Sequence, residues 1–258
     1  MKKFAIFLIN SFIITLCFSD SSSHSSADQR NINQDTVSSG IFLYKITGDY
    51  ENGTEALYFK KNKIYRHKKT RITFSKKYDY MAPLDDTVYI QNDDGIFLFD
   101  ITNKKGKKIP NYFNEKTGDN SRMYQMFQNN LLNPVTYIFK PLIDKYGTDN
   151  KQETVTFFGK QCRVIRSSFF VVYYWNDFIL RKEILKPYKM VKEITSLSVN
   201  AKIPDSRFFP LSYIKATPVS SDEMDTVIKS VNDFISSNSN NVIQCDLFDL
   251  FLNKLQNK

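Results

Sequence analysis

The chain has 258 residues, with 36 Lys and Arg against 27 Asp and Glu and a formal net charge of +9. Aromatic residues make up 15%, with 22 Phe and 15 Tyr against one Trp, enough for a β-rich core, and the length suits one domain of ordinary size or a domain plus an appendage. The two histidines, His24 and His67, leave no set from which a histidine triad or zinc site could be built.

Residues 1–19, "MKKFAIFLINSFIITLCFS", combine Lys2 and Lys3 with an apolar run from Phe4 to Phe18 and a small-x-small step at Cys17-Phe18-Ser19. This is the plan of a secretory signal peptide, so a mature chain starting near Asp20, periplasmic or secreted, is expected. The alternative is a lipid anchor on Cys17, although Leu16 stands where lipoprotein signals carry a small residue. No later segment approaches the ~20 apolar residues of a membrane-spanning helix. Residues 20–39, rich in Ser, Asn and Asp, read as a disordered spacer.

From Gly40 short runs bounded by turn residues predict strands. "IFLYKITG" ends at Gly48, Asn52-Gly53-Thr54 reads as a turn, and "EALYFKKNKIYRHKKTRITF" folds about Lys61-Asn62-Lys63. "TVYIQNDDGIFLFDIT" is a second hairpin turning at Asn92-Asp93-Asp94-Gly95. Residues 119–147 switch to helical spacing, with Pro134 in a first turn and Gly147 as the stop. Strands resume with "ETVTFFGKQCRVIR", "SFFVVYYW", "FILRKEILK" and "MVKEITSLSVNAKIP". Ser220-Ser221-Asp222-Glu223 is a capping box opening a C-terminal helical hairpin, residues 219–258.

Several strands do not alternate apolar with polar. In "FFVVYYW" Tyr173 and Trp175 point one way and Val172 and Tyr174 the other, and in "IFLF" Phe97 and Phe99 oppose Ile96 and Leu98. Both sheet faces therefore need cover, from a second protein layer or from an apolar ligand in a concave cavity. The first alternative is a dry core closed by the chain's own helices. Cys162 and Cys245 read either as a disulfide pair or as two separately buried thiols.

The stretch "ITSLSVNAKIPDSRFFPLSY" (194–213), through Asn200, Ile203, Pro204, Phe208 and Pro210, resembles the last strand of the periplasmic lipoprotein-carrier superfamily (LolA/LolB-like). In the same order, "TEALYFKKNKIYRHKK" resembles its second hairpin, "ETVTFFGKQCRVI" a Gly-x-x-Cys strand and "WNDFILRKEI" the strand after it, covering about residues 40–215. The resemblance implies an α+β fold: a curved antiparallel sheet in an open half-barrel, with the helical insert as lid and a domain spanning residues 40–218. It also implies an apolar concave face. The long basic hairpin and the helical tail depart from the family, and no residue matches the carriers' functional arginine or protruding loop.

On that reading Tyr58, Phe97, Phe99, Tyr173 and Trp175 line a cup for an acyl chain or similar apolar ligand. Residues 60–77 hold nine Lys and Arg. Of these Lys60, Lys61, Lys63, Arg66, Lys68, Lys69 and Arg71 suit an anionic envelope surface, which an exported protein meets more readily than nucleic acid. The other reading of this stretch is a solvated edge hairpin guarded by lysines. "NDDG" lacks the spaced ligands of a calcium loop, and Asp85-Asp86 and Asp93-Asp94 lie in turns, so no metal, cofactor or catalytic group is assigned. The expectation is a non-enzymatic exported protein that binds an apolar ligand. The alternative is an envelope or surface protein-interaction module whose core is self-filled.

Overall fold

The computed structural model describes residues 37–72, 86–110, 132, 153–186, 188–237 and 254–255. Short turns divide the chain into strands β1 (Ser39–Gly48), β2 (Glu51–Lys60), β3 (Lys63–Ile72), β4 (Asp86–Asn92), β5 (Gly95–Asp100) and β6 (Lys105–Pro110), then β7 (Glu153–Phe157), β8 (Lys160–Arg166), β9 (Phe170–Trp175), β10 (Phe178–Ile184), β11 (Met190–Val199) and β12 (Ala216–Pro218). The expected turns at Lys61-Asn62 and Asp93-Asp94 form. Lys61 takes φ 55, and Asn92 Oδ1 accepts from the Asp94 amide at 2.9 Å. At Phe158-Gly159 and Asn176-Asp177 both central residues have positive φ, the two-residue hairpin geometry whose twist matches the flanking strands.

The twelve described strands join one sheet of order β12-β6-β5-β4-β3-β2-β1-β11-β10-β9-β8-β7. Two antiparallel meanders, β1 to β6 and β7 to β11, meet where β1 pairs with β11, Phe42 standing opposite Leu197. β12 then runs parallel to β6, with Ala216 opposite Gly106. The expected antiparallel half-barrel under a helical lid is therefore corrected to a twelve-stranded mixed sheet that does not close into a barrel. The reason lies after β11: the chain continues past its Phe-Phe-Pro segment and returns to the free edge of β6. A 3-10 turn, Asp205–Phe208, lies on that path.

Helix α1 (Ser221–Ser237) follows β12. Ser220 caps it as expected, its Oγ accepting from the Glu223 amide at 3.2 Å. Glu223 does not complete the capping box among the described contacts; its carboxylate takes the Lys107 ammonium at 2.6 Å. Leu132, Lys254 and Leu255 are helical, and Leu132 and Leu255 are buried, while the rest of the expected insert and of the second tail helix lies outside the described residues.

Among the described residues three apolar clusters hold the sheet. The first joins Phe42, Phe59 and Phe178, whose ring centroids lie 4.9–5.4 Å apart, to Tyr89, Ile96 and Leu98 and to Met224 and Val227 of α1. Each fully buried aromatic or aliphatic side chain contributes about 1.5–3 kcal/mol. The second gathers Ile46, Ile165, Phe170, Val172, Ile184 and Met190. The third holds Val88, Ile90, Phe97 and Phe99, on the opposite side of β4 and β5 from Tyr89 and Leu98, beneath Ile214 and Leu211.

Asn52-Gly53-Thr54 is strand, not turn. Asn52 braces the real turn at Asp49-Tyr50 from within β2, its Nδ2 donating to the Gly48 carbonyl at 2.9 Å and its Oδ1 accepting from the Gly48 amide at 3.2 Å. Gly53 is required by close approach, since a Cβ there would stand 2.1 Å from the Lys69 carbonyl oxygen. Gly53→Ala should push β3 away from β2 and cost about 1–3 kcal/mol. Gly159→Ala, in open space at φ +69, should cost about 1 kcal/mol from its left-handed backbone alone. Urea unfolding midpoints of the two variants measure the difference.

Candidate functional site

Alternation along the strands separates the five aromatic residues expected to share one cup. Phe97 and Phe99 are 5% and 0% exposed and lie under Ile214 and Leu211. Tyr58 shares their face, paired across β2 and β3 with Tyr65, which packs against the same cluster. Tyr173 and Trp175 pack instead against the first cluster, with Phe42 and Leu180. Trp175 is covered by the Lys160 ammonium, 4.5 Å from its ring centroid, and Tyr173 has the guanidiniums of Arg166 and Arg181 at 6.0 Å. The structure thus brings three of the five to one face and two to another cluster.

The same alternation divides the basic hairpin. Arg66 and Lys68 share parity with Ile64 and are nearly sealed from solvent. Arg66 Nη2 donates to Glu55 Oε2 at 2.9 Å, and Lys68 Nζ lies 2.6 Å from Glu51 Oε1. Lys192 of β11 donates to the other Glu55 oxygen, and its ammonium lies 4.5 Å from the centroid of the Tyr44 ring. The Tyr44 hydroxyl donates to the Ile179 carbonyl at 3.1 Å; burial and then the Glu55 charge push its pKa up. With both oxygens of Glu55 accepting charge-assisted bonds, this group fixes strand register and is a poor proton acceptor for a substrate. Glu55, Glu51 and Lys192 were missed in the sequence; the signal was a carboxylate at the inward parity of Leu57 and Phe59.

On the other face Lys60 Nζ donates to Asp205 Oδ1 at 3.0 Å and to the Ile203 carbonyl at 3.3 Å, and Lys63 lies 3.2 Å from Asp93. The Lys60 hydrogen bond holds the Asp205 carboxyl below the usual aspartate range. Lys61, Lys69 and Arg71 are exposed. Hence two of the seven proposed surface cations are internal, two are tied to acids of neighbouring turns, and three face solvent.

These ties fasten the segment after β11 to the sheet. Phe208 points inward at 1% exposure while its carbonyl accepts from Asn92 Nδ2 at 2.8 Å. Arg207 lies over the Tyr58 ring at 4.8 Å and the Tyr65 ring at 5.5 Å, and those rings meet edge to face at 5.8 Å. Burial raises the Tyr65 pKa, with the Arg207 charge opposing. Beyond this stack Phe209 and Tyr213 are 63% and 72% exposed, on a segment whose neighbours Phe208 and Ile214 are core. His67 and Asp86 meet at 2.7 Å on the same strands. Tyr58, Tyr65 and Arg207 thus form one aromatic and cationic stack, Tyr213 lies near enough to Tyr65 to interact with it electrostatically, and Phe209 stands exposed two residues after Arg207. Arg207, Phe209 and Tyr213 were missed as site residues because Phe-Phe-Pro reads as a strand stop.

Cys162 is a free, buried thiol, as in the reading of two separately buried thiols. Its Sγ sits 3.6 Å and 3.8 Å from the Lys160 and Phe157 carbonyl oxygens around the β7–β8 turn, and burial pushes its pKa up. Cys245 lies outside the described residues. Among the described residues no group of three His, Cys, Asp or Glu could hold a metal ion, and no helix is long and apolar enough to cross a membrane.

No family model matches the chain, and no curated protein matches it. Among solved structures it is similar to an uncharacterised conserved protein from Thermus thermophilus, at 8% identity and a TM-score of 0.38, over 70% of this chain and 91% of that one. It is also similar to PNGF-II in its C2 and P21 crystal forms, at 10% and 11% identity and a TM-score of 0.27. The two alignments span 73% and 75% of this chain but only 32% and 34% of PNGF-II.

Removing one member of the Glu55 group tests its contribution. With the Glu55 side chain 2% exposed and Arg66 4% exposed, Glu55→Gln leaves two cations partly uncompensated inside the protein. The substitution should destabilise by about 3–5 kcal/mol in guanidinium unfolding. A change below about 1 kcal/mol would mean that water reaches the group.

Proposed function

We propose that the protein is an exported, non-catalytic docking module that recognises an acidic protein partner through Arg207, Phe209, Tyr213, Tyr58 and Tyr65. The observation that carries this reading is the exposure of Phe209 and Tyr213 on a backbone anchored at Phe208 and Ile214. Large apolar side chains held in solvent on a rigid mount are the usual anchors of protein interfaces, and Tyr and Arg are enriched among the residues carrying most of the binding energy. Arg207 and the exposed Lys61 and Lys202 give the surface a positive cast that suits acidic groups on the partner. Export rests on the plan of residues 1–19.

An apolar ligand would need the surfaces of Phe97 and Phe99, which the chain's own Ile214 and Leu211 already cover. That favours the self-filled interaction module over a ligand-binding cup. In this reading the stretch that resembles the lipoprotein carriers, residues 194–213, serves as cover on its inner side and as contact surface on its outer side.

Replacing Tyr213 by the photo-crosslinking residue benzoylphenylalanine, in the native host, should yield one discrete protein adduct. Adding Arg207→Ala and Phe209→Ser should abolish that adduct while circular dichroism and the melting transition stay unchanged. An adduct of equal yield in the combined variant, or none from the folded parent, contradicts the proposal.

A further inference from the structure

A sheet that does not close has two edges, and this chain treats them differently. One edge is β12, three residues long and ending at Pro218, which has no amide hydrogen to offer. The other is β7, "ETVTF", which among the described residues pairs with β8 alone. Glu153, Thr154 and Thr156 of this strand are exposed. Its one charged side chain is already engaged: Glu153 accepts from Arg166 Nε at 2.8 Å and from Arg166 Nη2 at 2.9 Å. Lysine, proline and bulge, the usual guards of an edge strand, are all absent from it.

The turn fixes which backbone groups of β7 face outward. Phe157 and Lys160 close the two-residue Phe158-Gly159 hairpin and stand opposite each other, which makes them a pair that exchanges both hydrogen bonds. Bonded and non-bonded pairs alternate along an antiparallel ladder, so Val155 with Cys162 and Glu153 with Val164 are bonded in the same way. Thr154 and Thr156 are the residues between. Their N–H and C=O groups therefore point away from β8, beyond the edge of the sheet. Their side chains share one face, while those of Glu153, Val155 and Phe157 share the other.

We infer that this edge pairs with the same edge of a second copy of the chain, antiparallel about a two-fold axis through Val155. The strand is complementary to itself in that register, which is the one that uses its whole length. Thr154 of one copy stands opposite Thr156 of the other, and because both turn their backbone groups outward, each exchanges both hydrogen bonds with its opposite. Val155 meets its own counterpart in the closer, non-bonded kind of pair. Threonine pairs and β-branched pairs are cross-strand neighbours that stabilise a sheet. Charge agrees. Glu153 falls opposite Phe157 of the second copy, and next in the same row lies that copy's Lys160, so no like charges meet. A contact of this length is small beside the usual stable interface, so the chain is monomeric when dilute and pairs as concentration rises. The contact uses neither the Arg207 surface nor the covers of β4 and β5.

Sedimentation equilibrium of the full chain, over roughly 1 μM to 1 mM, should show a reversible exchange between monomer and dimer. Amide hydrogen exchange locates the contact. The Thr154 and Thr156 amides should exchange slowly only where the dimer is populated, while the Val155 amide, bonded to β8, should be slow throughout. Thr154→Pro removes an outward N–H and leaves the β8 ladder whole, so the hairpin should survive and the dimer dissociation constant should rise by roughly tenfold or more. Arg207→Ala/Phe209→Ser should dimerise like the parent, which separates this contact from the docking surface. A wild type that stays monomeric over the whole range overturns the inference. A dimer that leaves Thr154 and Thr156 unprotected overturns it too, as does their protection in the monomer, which would mean that the chain covers its own edge. A folded Thr154→Pro variant that dimerises as tightly as the wild type contradicts it as well; should that variant unfold, the exchange measurement on the wild type decides.

Discussion

Strands β4 and β5 govern this architecture, because every residue from Thr87 to Gln91 and from Gly95 to Asp100 is buried. A strand pair hidden on both sides cannot belong to a sheet with one wet face, so two covers are obligatory. Helix α1, together with Leu132 and Leu255, supplies one. The other is the irregular chain from Asn200 to Lys215, which crosses β2 to β4 before β12 joins the edge of β6. Burying irregular backbone leaves polar groups to satisfy. Asn92 meets the Phe208 carbonyl and Lys60 meets the Ile203 carbonyl, while the Val219 amide donates to the Lys108 carbonyl at 2.9 Å.

The outward side of that cover is where the candidate site arises. Phe208 and Phe209 are adjacent and point oppositely, as extended backbone leaving a 3-10 turn requires, so anchoring one exposes the other. Arg207, just before them, is drawn over Tyr58 and Tyr65. The contact surface is thus a by-product of solving the burial problem of β4 and β5. Charge follows the same parity. In β3 every second residue is inward, so Arg66 and Lys68 enter the core side and oblige Glu55, Glu51 and Lys192 to go with them.

Much of this was legible in the sequence wherever turn chemistry and period agreed. Lys61-Asn62 and Asn92 to Gly95 were readable because turn residues interrupt β-branched and aromatic runs there, whereas "ETVTFFGKQCRVIR" reads as one strand and folds as two, β7 and β8, about Phe158-Gly159. Asn52-Gly53 misled because the same residues can serve as a turn or, as here, as a brace and a close-approach point within a strand. Strand Lys105–Pro110 carries only Ile109 as a large apolar residue, and its place between β5 and β12 depends on pairings that no local pattern reveals. The need to cover both faces was visible in "IFLF", but not what covers them. That depends on long-range contacts such as Phe97 with Ile214, and on a parallel pairing between segments more than a hundred residues apart. The basic hairpin was visible as composition, yet its division needs the inward parity set by Leu57, Phe59 and Ile64.

The central claim is that the protein fills both faces of its sheet with its own residues. Native mass spectrometry of protein purified from its own host tests this most directly. The account predicts a folded species whose mass is that of the polypeptide alone. A folded species that carries a stoichiometric lipid or other apolar adduct, released only on unfolding, would contradict it.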